Sequence, residues 1–192
     1  MIALLVALFL IVALLGYLIG IYNSLVRVRA AVKLAWSDID VLLVQRHDEL
    51  PKLVEVCKQY MQYEGGTLER VMRARASVDA ARSSGSMGAL AAAERELRSG
   101  LGGLYAVAEN YPQLKANENF RQLQDELTDI ENKIAAARRF LNNAVAEYNA
   151  AIQQFPAVLL AGAMGFKDAP MFELDEAERA ENKAPPKVSF GS

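Results

Sequence analysis

The first twenty-two residues, MIALLVALFLIVALLGYLIGIY, contain no charged side chain, and charge begins only at Arg27. A helix rises ~1.5 Å per residue, so a run of this length can cross the ~30 Å hydrocarbon core of a bilayer. A cleaved signal peptide would call for a basic leader, a shorter apolar core and small residues at the cleavage point. Here no Lys or Arg precedes the run, and Ile21, Tyr22 and Asn23 follow Gly20. No Cys lies near its end to accept a lipid. The run therefore reads as an uncleaved anchor, residues 1–22. Ala13, Gly16 and Gly20 set small residues at helical spacing along it, a pattern that lets two membrane helices approach closely. These three are the candidate contacts between copies.

Arg27, Arg29 and Lys33 follow the span directly, and no acid appears before Asp38. Basic residues concentrate on the cytoplasmic flank of membrane helices. The expectation is a bacterial inner-membrane protein with its N-terminus outside and its domain in the cytoplasm, a periplasmic domain being the alternative.

Beyond the anchor remain enough residues for one domain with its own core. The net charge of −2 gives no general attraction to nucleic acid. A single Cys, Cys57, excludes a disulfide within the chain. No strand-like alternation occurs. Instead Phe120, Leu123, Leu127, Ile130, Ile134, Ala137, Leu141, Ala144, Tyr148, Ala151 and Phe155 recur at steps of three and four. That is a heptad seam on one long helix, capped by Asn117 or Asn119. Pro156 either ends this helix or kinks it ahead of the apolar run AVLLAGAMGF.

A second seam, Leu25, Val28, Val32, Ala35, Ile39 and Leu42, continues from the anchor without a breaker. Pro51 is expected to interrupt it, because proline removes a helical hydrogen bond and crowds the preceding turn. The pattern resumes through Leu50, Val54, Cys57, Met61, Glu64, Leu68, Val71, Arg75 and Val78. The spacing predicts a kinked helix or a helix pair over about 24–82. A turn over 82–89 precedes a shorter helix over roughly 88–109, in which Gly100, Gly102 and Gly103 mark close packing or a local break. The fold class expected is all-α: a transmembrane helix continuing into an elongated, antiparallel, up-and-down four-helix bundle over 23–166. Residues 167–192, acidic and proline-containing, read as a solvated tail.

Catalytic chemistry has little to work with. One His cannot complete a paired Glu-x-x-His dinuclear site, and His/Cys zinc sites fail for the same reason. His47 and Cys57 lie ten residues apart along one helix, ~15 Å at ~1.5 Å per residue, and Cys57 at a seam position reads as a small buried hydrophobe. No catalytic, metal or cofactor site is expected, and the chain does not read as an enzyme. What stands out is a polar set at or beside the seams: Arg46, Asp48, Glu64, Arg75, Glu109, Glu131, Arg138, Asn142 and Asn149. Charges on a core-facing stripe need partners. Two readings follow, buried ion pairs that fix helix register or a polar groove facing a partner.

The segments YNSLVRVRAAVKLAWSDIDVLLVQRHDELPKLVEVCKQYMQYE (22–64) and ENYPQLKANENFRQLQDELTDIENKIAAARRFLNNAVAEYNAAIQQFP (109–156) resemble the LemA family. GFKDAPMFE (165–173) extends the likeness. It rests on Tyr22, Trp36, Asp40, Arg46, Asp48, Pro51, Tyr60 and Glu64, and later on Tyr111-Pro112, Phe120, Glu131, Arg138, Asn142, Tyr148-Asn149, Phe155-Pro156 and Gly165-Phe166. Three positions depart from the family pattern. Leu141 stands where a Tyr is usual, Lys52 where Asn is frequent, and Gly65-Gly66 is unusual beside Glu64. The resemblance implies a bacterial single-pass membrane protein with a helical bundle and no established activity to carry over. It also implies a link to membrane-organelle formation and a gene neighbourhood that includes a membrane metalloprotease. The expected role is a non-enzymatic membrane scaffold that self-associates, organises the membrane or gathers partners. The alternative is an adaptor or sensor for a membrane protease or envelope-stress system. Expected partners are membrane lipid, further copies of the chain and a membrane protease or other membrane protein.

Overall fold

The computed structural model describes residues 1–172. Among them are five α-helices, one 3-10 turn and no strand. Helix α1 spans Ile2–Tyr60, α2 Gly65–Ser84, α3 Met87–Ala108, α4 Pro112–Ala116 and α5 Glu118–Gln153. The described part is all-α, as the periodicity implies.

Two compact units divide the chain, and α1 and α5 each contribute to both. The first contains residues 1–46 and 126–171. There α5 runs antiparallel to α1: Glu131 bonds to Arg46, and Ile152 shares a core with Leu25. That core holds Leu25, Tyr148, Ile152, Ala157, Ala161 and Phe166. The buried face of α5 passes through Ile130, Ile134, Arg138, Leu141, Val145, Tyr148 and Ile152. It follows the natural ~3.6-residue turn and drifts off the 3.5-residue seam. Ile152 is buried, whereas Phe155, the last seam residue, lies beyond the end of α5 at Gln153 and is 80% exposed.

The second unit includes residues 47–125. Pro51 does not interrupt α1, which continues to Tyr60. The chain breaks instead at 61–64, and Gly65 opens α2. Pro51 cannot donate to the carbonyl of His47 four residues earlier. Arg75 on α2 fills the gap, its Nε donating to that carbonyl at 2.9 Å. Between α2 and α3, Gly85 turns the chain with φ +68° and Ser86 caps α3 by accepting from the Ala89 N–H. Gly100 lies within unbroken helix, and a Cβ there would meet Val71 Cγ2 at 3.7 Å. Close approach to α2, rather than a break, is its role. Asn117 caps α5, its Oδ1 accepting from the Phe120 N–H at 3.0 Å.

Residues 167–169, expected in the solvated tail, are fastened to α5. The Tyr148 hydroxyl donates to the Lys167 carbonyl at 2.8 Å, and Asn149 exchanges two bonds with the Ala169 backbone. The acidic stretch beginning at Glu173 lies outside the described residues.

Candidate functional site

The seam periodicity brings several of the polar candidates into the interior in pairs. Arg46 falls on the α1 face that also carries Ile39, Leu43 and Leu50, so it is 1% exposed. Its Nη1 donates to Glu131 Oε1 on α5 at 2.6 Å, an ion pair between the two helices. Arg138 is buried between the turns of Ile134 and Leu141. Asn142 is half-buried one turn further on. Asn149 holds Ala169 by both its amide nitrogen and its oxygen.

In the second unit Arg75 serves two groups of α1. Besides the His47 carbonyl, its Nη2 contacts His47 Nε2. Glu64, in the break after α1, accepts from the Tyr111 hydroxyl at 3.3 Å. Desolvation first, and then the Glu64 carboxylate, raise the Tyr111 pKa above its ordinary value. Tyr60 accepts from Asn117 Nδ2 at 3.0 Å, which ties the end of α1 to the cap of α5.

Two members of the candidate set stand outside this interior. Asp48 is exposed, because the buried face passes through Arg46 and Leu50 and leaves the residue between them on the opposite side. Glu109 is exposed as the residue that ends α3. One charged core residue escaped the sequence reading. Glu94 is 2% exposed on α3, on a seam of Leu90, Leu97, Leu101, Leu104 and Ala108. Steps of four and three through those residues would have found it.

Cys57 is fully buried, and burial pushes its thiol from 9.0 up to about 12. A thiol so held stays protonated at neutral pH and is a poor nucleophile. A shallow groove of about 470 Å³ opens between the end of α1 and the start of α2, lined by Val54, Lys58, Met61, Gln62, Gly65, Leu68, Glu69 and Met72.

At the other end of α1, no part of the most apolar eighteen-residue stretch is buried. A Cβ added at Gly16 or Gly20 would meet nothing within 4 Å, and Ala13 is likewise exposed. Among the described residues, this is the one helix long and apolar enough to cross a membrane.

An apolar helix of membrane-spanning length, continuous with an all-α domain held by interhelical polar pairs, defines a membrane-associated helical protein. The chain belongs to the LemA family, whose sequence profile matches residues 35–190. It is 31% identical to the magnetosome protein MamQ of Magnetospirillum gryphiswaldense over 108 residues, 56% of this chain and 40% of that protein. It is 25% identical over 186 residues to each of the magnetosome proteins MamQ 1 and MamQ 2 of Paramagnetospirillum magneticum, 85% of this chain and 68% of theirs. The chain thus spans less than half of the first relative's length and about two thirds of the others'.

Proposed function

We propose that the protein is a non-enzymatic, membrane-anchored helical scaffold that self-associates through its span and gathers other proteins at the membrane. The observation that carries this reading is the anchor itself. No part of its most apolar eighteen-residue stretch is buried, and Ala13, Gly16 and Gly20 leave a face open to a second helix. The polar candidates support it from the other side. Arg46, Glu64, Arg75 and Asn149 engage other parts of the same chain, which suits a structural role for them. The likeness to magnetosome proteins supports a membrane-associated role. The domain is assigned to the cytoplasm on the strength of Arg27, Arg29 and Lys33. An alkaline phosphatase fused after Phe190 is then inactive, and an active fusion reverses the orientation.

The test of self-association is the oligomeric state of the full chain in nanodiscs, with chemical cross-linking. Gly16→Ile together with Gly20→Ile reduces the cross-linked species. An unchanged pattern refutes association through the span.

A further inference from the structure

We infer that residues 155–166 form a second membrane-contacting element, a compact foot seated in the interfacial layer of the bilayer beside the anchor. This rests on the reading of residues 1–22 as a membrane span.

Register places the foot. Arg46 and Leu25 are 21 residues apart on α1, and their neighbours Glu131 and Ile152 are 21 apart on α5. Helix α5 ends at Gln153, one residue past Ile152, so the chain enters the foot close to the level of Leu25, three residues from Tyr22, where the apolar run of the anchor ends. A direct contact agrees: the Tyr22 and Phe166 rings meet edge to face, centroids 5.8 Å apart. The chain leaving α5 therefore turns over at the depth where the span meets the headgroups.

The composition of the foot suits that depth. FPAVLLAGAMGF, residues 155–166, holds no charged side chain. Phe155 is 80% exposed, Leu159 72% and Val158 49%. Ile19 and Tyr22 at the end of the anchor are also open. A non-helical backbone tolerates an apolar medium only when its polar groups bond to one another. Here the N–H groups of Val158 to Ala161 and of Met164 to Phe166 all bond to carbonyls between Gln154 and Gly162. Gly165, at φ +78°, closes this loop, and the Phe166 N–H returns to the Ala161 carbonyl at 2.9 Å. Basic residues edge the foot. Arg29 lies over the Phe166 ring at 5.8 Å, and Lys167 follows it directly. An apolar tip edged by cations is the pattern of an element lying in an anionic interface.

The experiment uses the full chain with Trp36→Phe, so that one introduced tryptophan reports alone. Val12→Trp marks the span, Phe155→Trp and Leu159→Trp mark the foot, and Tyr63→Trp marks an exposed position in the other unit. Each is reconstituted into phosphatidylcholine–phosphatidylglycerol vesicles with or without acyl-brominated phosphatidylcholine. The expected result is that both foot variants lose emission to bromine, most strongly when the bromine lies near the headgroup end of the chain. Val12→Trp is quenched best by deep bromine, and Tyr63→Trp keeps its emission. The inference is overturned if Val12→Trp is quenched while both foot variants behave as Tyr63→Trp does. It is also overturned if the foot emission is blue-shifted yet unquenched, which assigns the surface to a protein, such as a second copy. If Val12→Trp itself escapes quenching, the anchor reading fails and the foot falls with it.

Discussion

The contact between Arg75 and α1 makes a quantitative prediction, because it substitutes for a hydrogen bond that the sequence deletes. Pro51 has no N–H, so the His47 carbonyl lacks its helical donor, and Arg75 Nε supplies one at 2.9 Å. A hydrogen bond from a charged donor is worth ~1.5–3 kcal/mol net, and a stranded carbonyl adds ~1–3 kcal/mol of desolvation where water is excluded. Arg75 is half-buried, so water can replace part of the bond. Arg75→Ala should therefore cost ~2–3 kcal/mol by that scale. In a Pro51→Ala chain the alanine N–H is free to bond to the His47 carbonyl, and Arg75 is no longer needed there. The same Arg75→Ala change should then cost ~1–2 kcal/mol less, the share that belonged to the carbonyl. What remains is the contact of Nη2 with His47 Nε2. The assay is a double-mutant cycle, with denaturant unfolding of the full chain in detergent followed by circular dichroism. Independent sites add within ~0.5 kcal/mol. A coupling below that bound refutes the claim that Arg75 replaces the proline's missing donor.

The remaining predictions concern the two cores and the buried thiol. Arg46→Ala should cost ~2–4 kcal/mol, slightly discounted from a buried pair because Glu131 is 25% exposed, whereas Arg46→Met with Glu131→Leu should recover much of it, as thermal melts would show. Gly100→Ala should be tolerated and gain up to ~1 kcal/mol of helix propensity, since its Cβ sits at ordinary contact distance from Val71, while Gly100→Leu should cost ~1–3 kcal/mol. The folded chain holds the Cys57 proton up to about 12 against 9.0 for a free thiol, so its stabilising effect is complete below pH 9 and is lost as pH rises toward 12. By linkage the loss is ~1.4 kcal/mol at pH 10, and Cys57→Ala should melt with a shallower slope between pH 8 and pH 10; an equal slope rules the thiol out as the cause.

The helices were legible because their signals are local. The three-and-four seam of α5, the cap at Asn117 and the Gly85–Ser86 turn each follow from a few neighbouring residues. The misjudged point, Pro51, shows where locality fails. A proline is a breaker only if nothing replaces its donor, and the replacement comes from a residue 24 positions later. The drift of the α5 face off the heptad seam was missed for a related reason. A 3.5-residue pattern and a 3.6-residue helix look alike over two turns and diverge only over the helix's length. Asp48 turns outward because one step along a helix is ~100° of rotation, enough to move a charge from core to solvent, whereas Glu94 lies on a regular four-and-three seam of α3.

Several polar positions on which the LemA resemblance rests are engaged within the fold. Arg46 and Glu131 hold each other, Glu64 holds Tyr111, and Asn149 and Tyr148 hold residues 167–169. These residues explain why the chain adopts its helical arrangement, and for that reason they say little about what it touches. Contact with other molecules falls to side chains without such a task. Phe155, Val158 and Leu159 are exposed apolar groups, the N–H groups of Val158 and Leu159 are already bonded within the turn, and Gly16 and Gly20 leave an open helix face. Both features lie toward the same stretch of α1. A partner that met only side chains already bonded within the domain, such as Arg46 and Asn149, would gain little from binding. One that met the anchor could cover apolar surface at ~25 cal/mol per Å² wherever water still reaches it. In lipid that reward vanishes, and the proposed association of copies would rest on close helix packing at the glycines. Contacts at the span should therefore respond to the shape of the helix face, and contacts at the foot to how far the interface excludes water.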